Sequence, residues 1–423
     1  MRRAYYGGKD CRRAITIEDL RRVARRRLPN FAFEYVEGGA EDEIALKRNR
    51  DVFERITWLP RTLAGVGTPD LSTGILGETC HLPLVIAPTG FNGMLWPQGD
   101  LALARAAADA GIPFTLSTVS NYSLAKMTAE VKQGIWFQLY PFKDANTVGR
   151  LVDRAAEAGV STMVVTTDVP VLGAREWDQR NYRAPMKLSL TSVLDVLGHP
   201  GWLRRVMIPR GAPEFENLKE FLPPGAHSAL AGVRFMGTQI NSKLSWSDME
   251  LLRRRWKGKL VLKGILCVDD AKRAADMGAD GIVLSNHGGR QIDACVSGVE
   301  LLPAVSAEVG GRLCVLVDGG FRRGSDVLKA IALGAHGVMI GRPALYGLAA
   351  GGQGGVSHAL NLLRAEMERT LTLLGCRNLG ELGRHLVRSC RGAFDASSGL
   401  SRAHRCGRTR IRGQLARTAG GAG

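Results

Sequence analysis

No two cysteines in this sequence are spaced as CxxC, and no histidine stands near a cysteine at zinc-finger distance. The eight cysteines, at 11, 80, 267, 295, 314, 376, 390 and 406, are scattered, which fits free thiols in a reducing cytosol and no metal site. No apolar run approaches the roughly 18 residues of a membrane-spanning helix, so none is expected. The opening residues, MRRAYYGGKDCRRA, are charged but lack the apolar stretch of a secretory signal, and the expected location is cytoplasmic. No strand-like run is followed by GxGxxG, which argues against a Rossmann dinucleotide site.

The net charge of +17 suggests nucleic acid until its distribution is read. Residues 1–30 carry +7 and residues 377–423 carry +8, so the body is nearly neutral. Charge confined to the ends does not make a nucleic-acid-binding face, and acidic membrane lipid is at least as good a partner. Residues 389–423, rich in Arg, Gly, Ser and Ala, hold too little apolar content to fold and are expected to form a disordered basic tail.

The middle of the chain repeats one pattern. Short apolar runs at 82–90, 113–118, 135–140, 162–168, 259–264, 281–286, 314–319 and 337–342 alternate with Ala/Leu/Arg-rich segments of helical period. Eight strand-then-helix units predict an α/β fold, a TIM (β/α)8 barrel, which can absorb about 250 residues or more as one domain. Runs that are apolar throughout suit strands buried on both faces. Polar residues gather where the strands end: Thr89, Ser117, Gln138 with Tyr140, Thr166 with Asp168, Lys263, Ser285 with His287, Asp318 and Arg342. In such a barrel that rim carries the active site.

Residues 16–56 read as helices capping one mouth, and 356–374 as the last helix. The domain is expected to span 1–375, with its barrel at 82–375. A long insertion after the fourth strand, about 169–246, breaks the rhythm, and loops of that length are usually functional or disordered. Within it, SVLDVLGHPGWLRRVMIP at 192–209 sets Leu, Val and Trp202 beside Arg204 and Arg205. That composition suits a membrane interface, and equally a lid on the barrel itself.

The run LSNHGGRQID, 284–293, ends an apolar strand with an imidazole, two glycines and a guanidinium. His287 can take a proton, Arg290 can hold an anion, and Gly288 with Gly289 lets backbone approach a ligand. A single histidine is more often structural, so the wider pattern must decide. That pattern comprises EYVEGGAEDE (34–43), APTGFNGMLWPQGDLALARAAADAGIPF (87–114), WFQLY (136–140), TTDVPVLGARE (166–176), LKGI (262–265), SNHGGRQID (285–293) and DGGFRRGSDVLKAIALGAHGVMIGRP (318–343). Over roughly residues 15–375 the chain resembles the FMN-dependent α-hydroxy acid dehydrogenase and oxidase family, most nearly its membrane-associated mandelate dehydrogenase branch.

The resemblance implies FMN as cofactor, His287 as catalytic base and Asp168 as its carboxylate partner. It implies Arg175 and Arg290 as the clamp on the substrate carboxylate, with Tyr35 and Tyr140 as hydrogen-bond donors to substrate. Ala87, Thr89, Ser117, Gln138 and Thr166 would line the flavin ring, with Ser285 in the cofactor set and Lys263 supplying positive charge beside the pyrimidine. Asp318, Gly320, Arg322, Gly341 and Arg342 belong to the loops after strands seven and eight, the usual barrel phosphate site. These roles suit the chemistry: oxidising a 2-hydroxy acid releases two electrons and two protons, a neutral imidazole can accept one proton, and a buried carboxylate steadies the resulting imidazolium.

The expected reaction is oxidation of an (S)-2-hydroxy acid, mandelate-like or lactate, with electrons passing to a membrane quinone or similar acceptor. A homotetramer peripheral on the inner face of the cell membrane is the matching assembly. Val119 stands where plant glycolate oxidases of the family carry Trp, and Gly90 where they carry Ala, changes that make room for a larger substrate. The alternatives are an oxidase using oxygen, a flavoenzyme acting on a peptide-derived substrate, a phosphosugar isomerase and a non-catalytic phosphate- or flavin-binding barrel. The last two have no need of Asp168, Arg175, His287 and Arg290 together.

Overall fold

A computed structural model describes residues 3–184, 187–222 and 229–389. Eight parallel strands close into a barrel in chain order: β1 Leu84–Ile86, β2 Phe114–Ser117, β3 Ile135–Leu139, β4 Thr162–Thr166, β5 Lys259–Ile265, β6 Gly281–Leu284, β7 Cys314–Val317 and β8 Gly337–Ile340. β8 returns to β1 through Met339↔Val85 and Ile340↔Ile86, and β4 runs beside β5 from Lys259↔Thr162 to Lys263↔Thr166. Closure leaves no ladder edge exposed. All the expected strands are present, and every one is buried along most of its length.

Side chains on a strand alternate between its two faces. Val85, Trp136, Val164, Val261, Val283, Leu316 and Met339 share one compact buried cluster that fills the barrel. Their neighbours, among them Leu84, Ile86, Phe137, Met163, Val165, Leu262, Ile282 and Val338, belong to the larger core between barrel and helices. A strand that must satisfy two apolar layers reads as a continuous apolar run, which is why the sequence shows no alternation here.

The N-terminal region forms helices α1 Ile17–Arg27, α2 Asn30–Glu37 and α3 Ile44–Glu54. Thr16 and Asp19 make a capping box that starts α1, whose apolar stripe packs on the final helix. α2 and α3 cover the C-terminal mouth, where Ala40 N–H donates to the Gly289 carbonyl at 2.8 Å. The opposite mouth is plugged by a hairpin the sequence reading did not anticipate, Thr73–Ile75 with Glu78–Cys80. Ile75 from this hairpin is fully buried in the barrel's inner cluster.

The final helix begins earlier than residue 356. It runs Arg342–Leu374, interrupted by non-helical backbone at Gly351 and Gly352, so its first turns abut the site. Packing also continues past residue 375: Val387–Ser389 pairs with Ile56–Trp58, and Leu379 and Leu386 are buried. The tail expected to be disordered lies, from residue 390 on, outside the described residues.

The insertion is largely helical where it is described. Leu190–Leu197 is capped by Ser189 and followed by a continuous helical path to Arg210. Its inner side docks on the barrel: Trp202 and Val206 are buried, and Trp202 Nε1 donates to the Met94 carbonyl at 2.7 Å. Its outer side exposes Leu190, Val193, Leu194, Leu197 and Ile208. Among the described residues no helix is long and apolar enough to cross a membrane, no group of His, Cys, Asp and Glu could hold a metal ion, and the cysteines are free thiols.

Candidate active site

The inward-facing position that follows the apolar filling on each strand is where chemistry begins. One step of two residues leads from Val85 to Ala87, Thr115 to Ser117, Trp136 to Gln138, Val164 to Thr166, Val261 to Lys263, Val283 to Ser285, Leu316 to Asp318 and Met339 to Gly341. A further step reaches Thr89, Tyr140, Asp168, His287 and Gly320. The strand-borne part of the sequence-predicted site is thus one parity of the barrel, continued past its core to the C-terminal rim, while Tyr35, Arg175, Arg290, Arg322 and Arg342 reach it from helices and loops.

These residues surround a cleft open to solvent. Its lining includes Tyr35, Ala87, Thr89, Ser117, Tyr140, Thr166, Arg175, Lys263, His287, Arg290, Asp318, Gly320, Arg322, Gly341 and Arg342. Three expected residues stand one layer behind it. Asp168 lies behind His287. Gln138 joins Ser117, whose hydroxyl donates to Oε1 at 2.8 Å, to Thr166, which accepts from Nε2 at 2.9 Å. Ser285 accepts from Lys263 Nζ at 2.8 Å and from the His287 N–H at 3.0 Å. Gln138 and Ser285 thus hold residues that form the wall.

His287 adopts a left-handed backbone, φ 57°, followed by Gly288 and Gly289 at φ 68° and 75°. This tight path turns the imidazole back over the mouth. A Cβ at Gly289 would lie 2.6 Å from the Leu46 nitrogen of α3, so glycine is required there. Nδ1 of His287 faces Asp168, 3.0 and 3.2 Å from its two carboxylate oxygens, leaving Nε2 for the cleft. Burial lowers the His287 pKa, with Asp168 opposing and Lys263 and Arg175 assisting, so the imidazole is neutral at neutral pH. Burial works to raise Asp168, but the attraction of His287 and Lys263 outweighs it and the carboxylate stays ionised.

Lys263 lies 2.8 Å from Asp318 Oδ2, with both side chains buried. Burial opposes the ammonium, yet Asp318 and Asp168 raise its pKa above the ordinary lysine value. Asp318 Oδ1 is buried, and no hydrogen-bond partner among the described residues reaches it. Four guanidinium groups also approach the cleft, and what the described residues offer them is mostly backbone carbonyls. Arg290 Nη1 donates to Gly38 O at 2.6 Å, Arg342 to the carbonyls of Val36, Gly288 and Gly38 at 2.9 to 3.0 Å, and Arg322 to its neighbour Phe321 O at 2.8 Å. Arg175 Nε reaches Arg290 O at 3.5 Å. Burial, Arg175 and Arg342 pull Arg290 down to about 9, so it remains charged near neutrality. Tyr35 and Tyr140 are buried phenols whose pKa values rise on that account, which keeps them hydrogen-bond donors.

Half-buried cations that form no direct ion pair among the described residues favour anions from outside. They lie in two groups: Arg175 and Arg290 with the tyrosines and His287, and Arg322 and Arg342 with the glycine backbone of the β7 and β8 loops. The site therefore suits a ligand with a phosphate at one end and a small acid at the other.

Two contributions escaped the sequence reading. Asn49 of α3 pairs amide to amide with Asn286 and so fixes the loop bearing His287; its only sequence signal is an asparagine among the buried positions of a helix. Asp178 is a partly enclosed carboxylate near Arg290 and Arg175, with no signal beyond its place three residues after Arg175.

The model of the FMN-dependent dehydrogenase family matches residues 24–389, and the chain belongs to that family. (S)-Mandelate dehydrogenase of Pseudomonas putida is 44% identical over 369 residues, covering 87% of this chain and 92% of that protein. L-Lactate dehydrogenase of Bartonella quintana is 42% identical over 364 residues, covering 86% of this chain and 95% of the relative. Among solved structures, that of the monotopic membrane protein (S)-mandelate dehydrogenase superposes with a TM-score of 0.86 at 42% identity, covering 89% of this chain and 100% of the other. The eight-stranded barrel and the flavin expected from the sequence are those of this family.

The residues present fit FMN. The orphaned Asp318 oxygen, the buried Lys263, the close-approach backbone at Gly320 and Gly341 and the cations Arg322 and Arg342 together suit a polar isoalloxazine edge, a ribityl chain and a phosphate.

Proposed function

We propose that this protein oxidises an (S)-2-hydroxy acid, mandelate-like or lactate, to the corresponding 2-oxo acid. One observation carries the reading: a neutral, carboxylate-backed imidazole and two half-buried guanidinium groups that form no direct ion pair among the described residues line the same cleft. Arg175 and Arg290 bind the acid's carboxylate, and Tyr35 and Tyr140 donate to its oxygens. Planar guanidinium groups can hold a carboxylate at two points and so fix which face of the carbinol turns inward.

Nε2 of His287 accepts one proton as the carbinol becomes a carbonyl, and Asp168 stabilises the imidazolium through Nδ1. FMN, when bound, would supply the acceptor for the two electrons and the second proton. Lys263 holds positive charge where negative charge develops on reduction, and the Lys263–Asp318 contact keeps that ammonium in place. Ala87, Thr89, Ser117 and Thr166 form the wall against the ring, while Gly320, Arg322, Gly341 and Arg342 take the phosphate.

The exposed apolar face of Leu190–Leu197 and Ile208, with exposed Arg204 and Arg205 beside it, supports peripheral attachment to an anionic membrane. The solved relative described as monotopic supports the same reading. A quinone-like acceptor follows naturally from such a position. The test of the catalytic reading is direct: purified protein is yellow and bleaches anaerobically on addition of (S)-mandelate or L-lactate. A colourless protein, or a yellow one that no 2-hydroxy acid bleaches, contradicts it.

A further inference from the structure

Asp178 sits on the short helix Glu176–Gln179, directly after Arg175. Its carbonyl accepts from the Asn181 backbone and side chain at 3.2 and 3.4 Å, which accounts for its backbone and not for its carboxylate. The Oδ1 atom is buried, and no donor among the described residues reaches it. A carboxylate left in this condition is costly unless a neighbouring charge offsets it.

The positive charges that act on it are those of Arg290 and Arg175. The other groups facing it supply no positive charge: Tyr35 and Tyr182 are phenols, and Glu34 is a second acid. Burial raises the Asp178 carboxyl above its ordinary value, with the two arginines opposing. The arginines for their part meet backbone carbonyls at Gly38 and Arg290.

Resting on the reading in which this arginine pair holds the substrate carboxylate, we propose that Asp178 is a positioning residue: the resident counter-anion of Arg175 and Arg290. It balances part of their charge in the empty cleft and competes with a bound acid for the remainder. Substrate and product carry the same carboxylate, so a pair with no internal anion would retain the 2-oxo acid as firmly as it captures the 2-hydroxy acid. Asp178 limits that retention and thereby favours product release.

The experiment compares wild-type holoenzyme with Asp178→Asn and Asp178→Glu, using oxalate and phenylglyoxylate as probes and the flavin spectrum as readout. At pH 8 Asp178→Asn should bind both anions roughly three- to tenfold more tightly, the scale of removing one nearby like charge. In turnover, product inhibition should sharpen in Asp178→Asn, while Asp178→Glu, which keeps the charge, should follow wild type. Equal or weaker anion binding by Asp178→Asn overturns the proposal. Failure of wild-type flavin to be reduced by any 2-hydroxy acid would instead overturn the catalytic reading beneath it.

Discussion

The side-chain amides of Asn49 and Asn286 exchange two hydrogen bonds, at 2.8 and 2.9 Å, between α3 and the loop that presents His287. Both are buried, and Asn286 also accepts from Gly289 N–H at 3.0 Å and donates to the Val296 carbonyl at 3.0 Å. The N-terminal helices therefore support the catalytic loop as well as covering it. Asn49→Ala strands half of a buried amide and should lower stability by about 1–3 kcal/mol. Urea unfolding of the holoenzyme measures this; an unchanged midpoint would show that the pair contributes nothing.

His287→Ala should keep FMN but slow flavin reduction by roughly 10²- to 10⁴-fold, the usual loss for a general base. Stopped-flow reduction by the 2-hydroxy acid that bleaches wild type provides the number. Near-normal reduction would remove His287 from the mechanism.

The same histidine fixes the pH profile. A base works only when deprotonated, and burial holds the His287 pKa below the ordinary 6.5. The reduction rate should therefore rise with pH along a limb centred below 6.5 and be flat above about pH 7.5. A limb centred above pH 7 would contradict the assignment of a buried neutral imidazole.

Arg290→Lys keeps a charge but loses the planar fork. Substrate binding and flavin reduction should both suffer, roughly ten- to a hundredfold in their ratio, as expected for losing a charge-assisted hydrogen bond. An unchanged saturation curve would place the carboxylate on Arg175 alone.

Replacing residues 192–209 with a short Gly/Ser linker should release the enzyme from membranes while leaving flavin reduction largely intact, because no proposed catalytic group lies there. Truncation of 389–423 is the control. If the loop variant stays with membranes and the truncated one is released, attachment belongs to the basic end.

The strands were readable because burial on both faces leaves an unbroken apolar signature, and the rim residues because each follows its strand without a gap. Glycine-rich turns at His287 and Asp318 announced themselves by composition. The hairpin holding Ile75 was not readable: it is three residues on each side, too short for any period to emerge. Asn49 and Asp178 were missed for a different reason, since each acts across the fold on residues far away in sequence or on charges that only folding brings near. The segment at 192–209 satisfies parts of both expectations, with Trp202 docked and Leu194 and Leu197 exposed.

The two-residue step that turns filling into chemistry also constrains how such a protein can change. Deleting one residue inside β3 would swing Gln138 out among the helices and turn its apolar neighbours toward the mouth, ruining the core and the site together. Substitution at the outermost inward position of a strand disturbs neither register nor filling. Variation among descendants of this chain should thus accumulate as exchanges at Thr89, Val119 or Tyr140 and almost never as insertions within the strands, so that substrate preference can drift while the barrel's length along each strand is held constant.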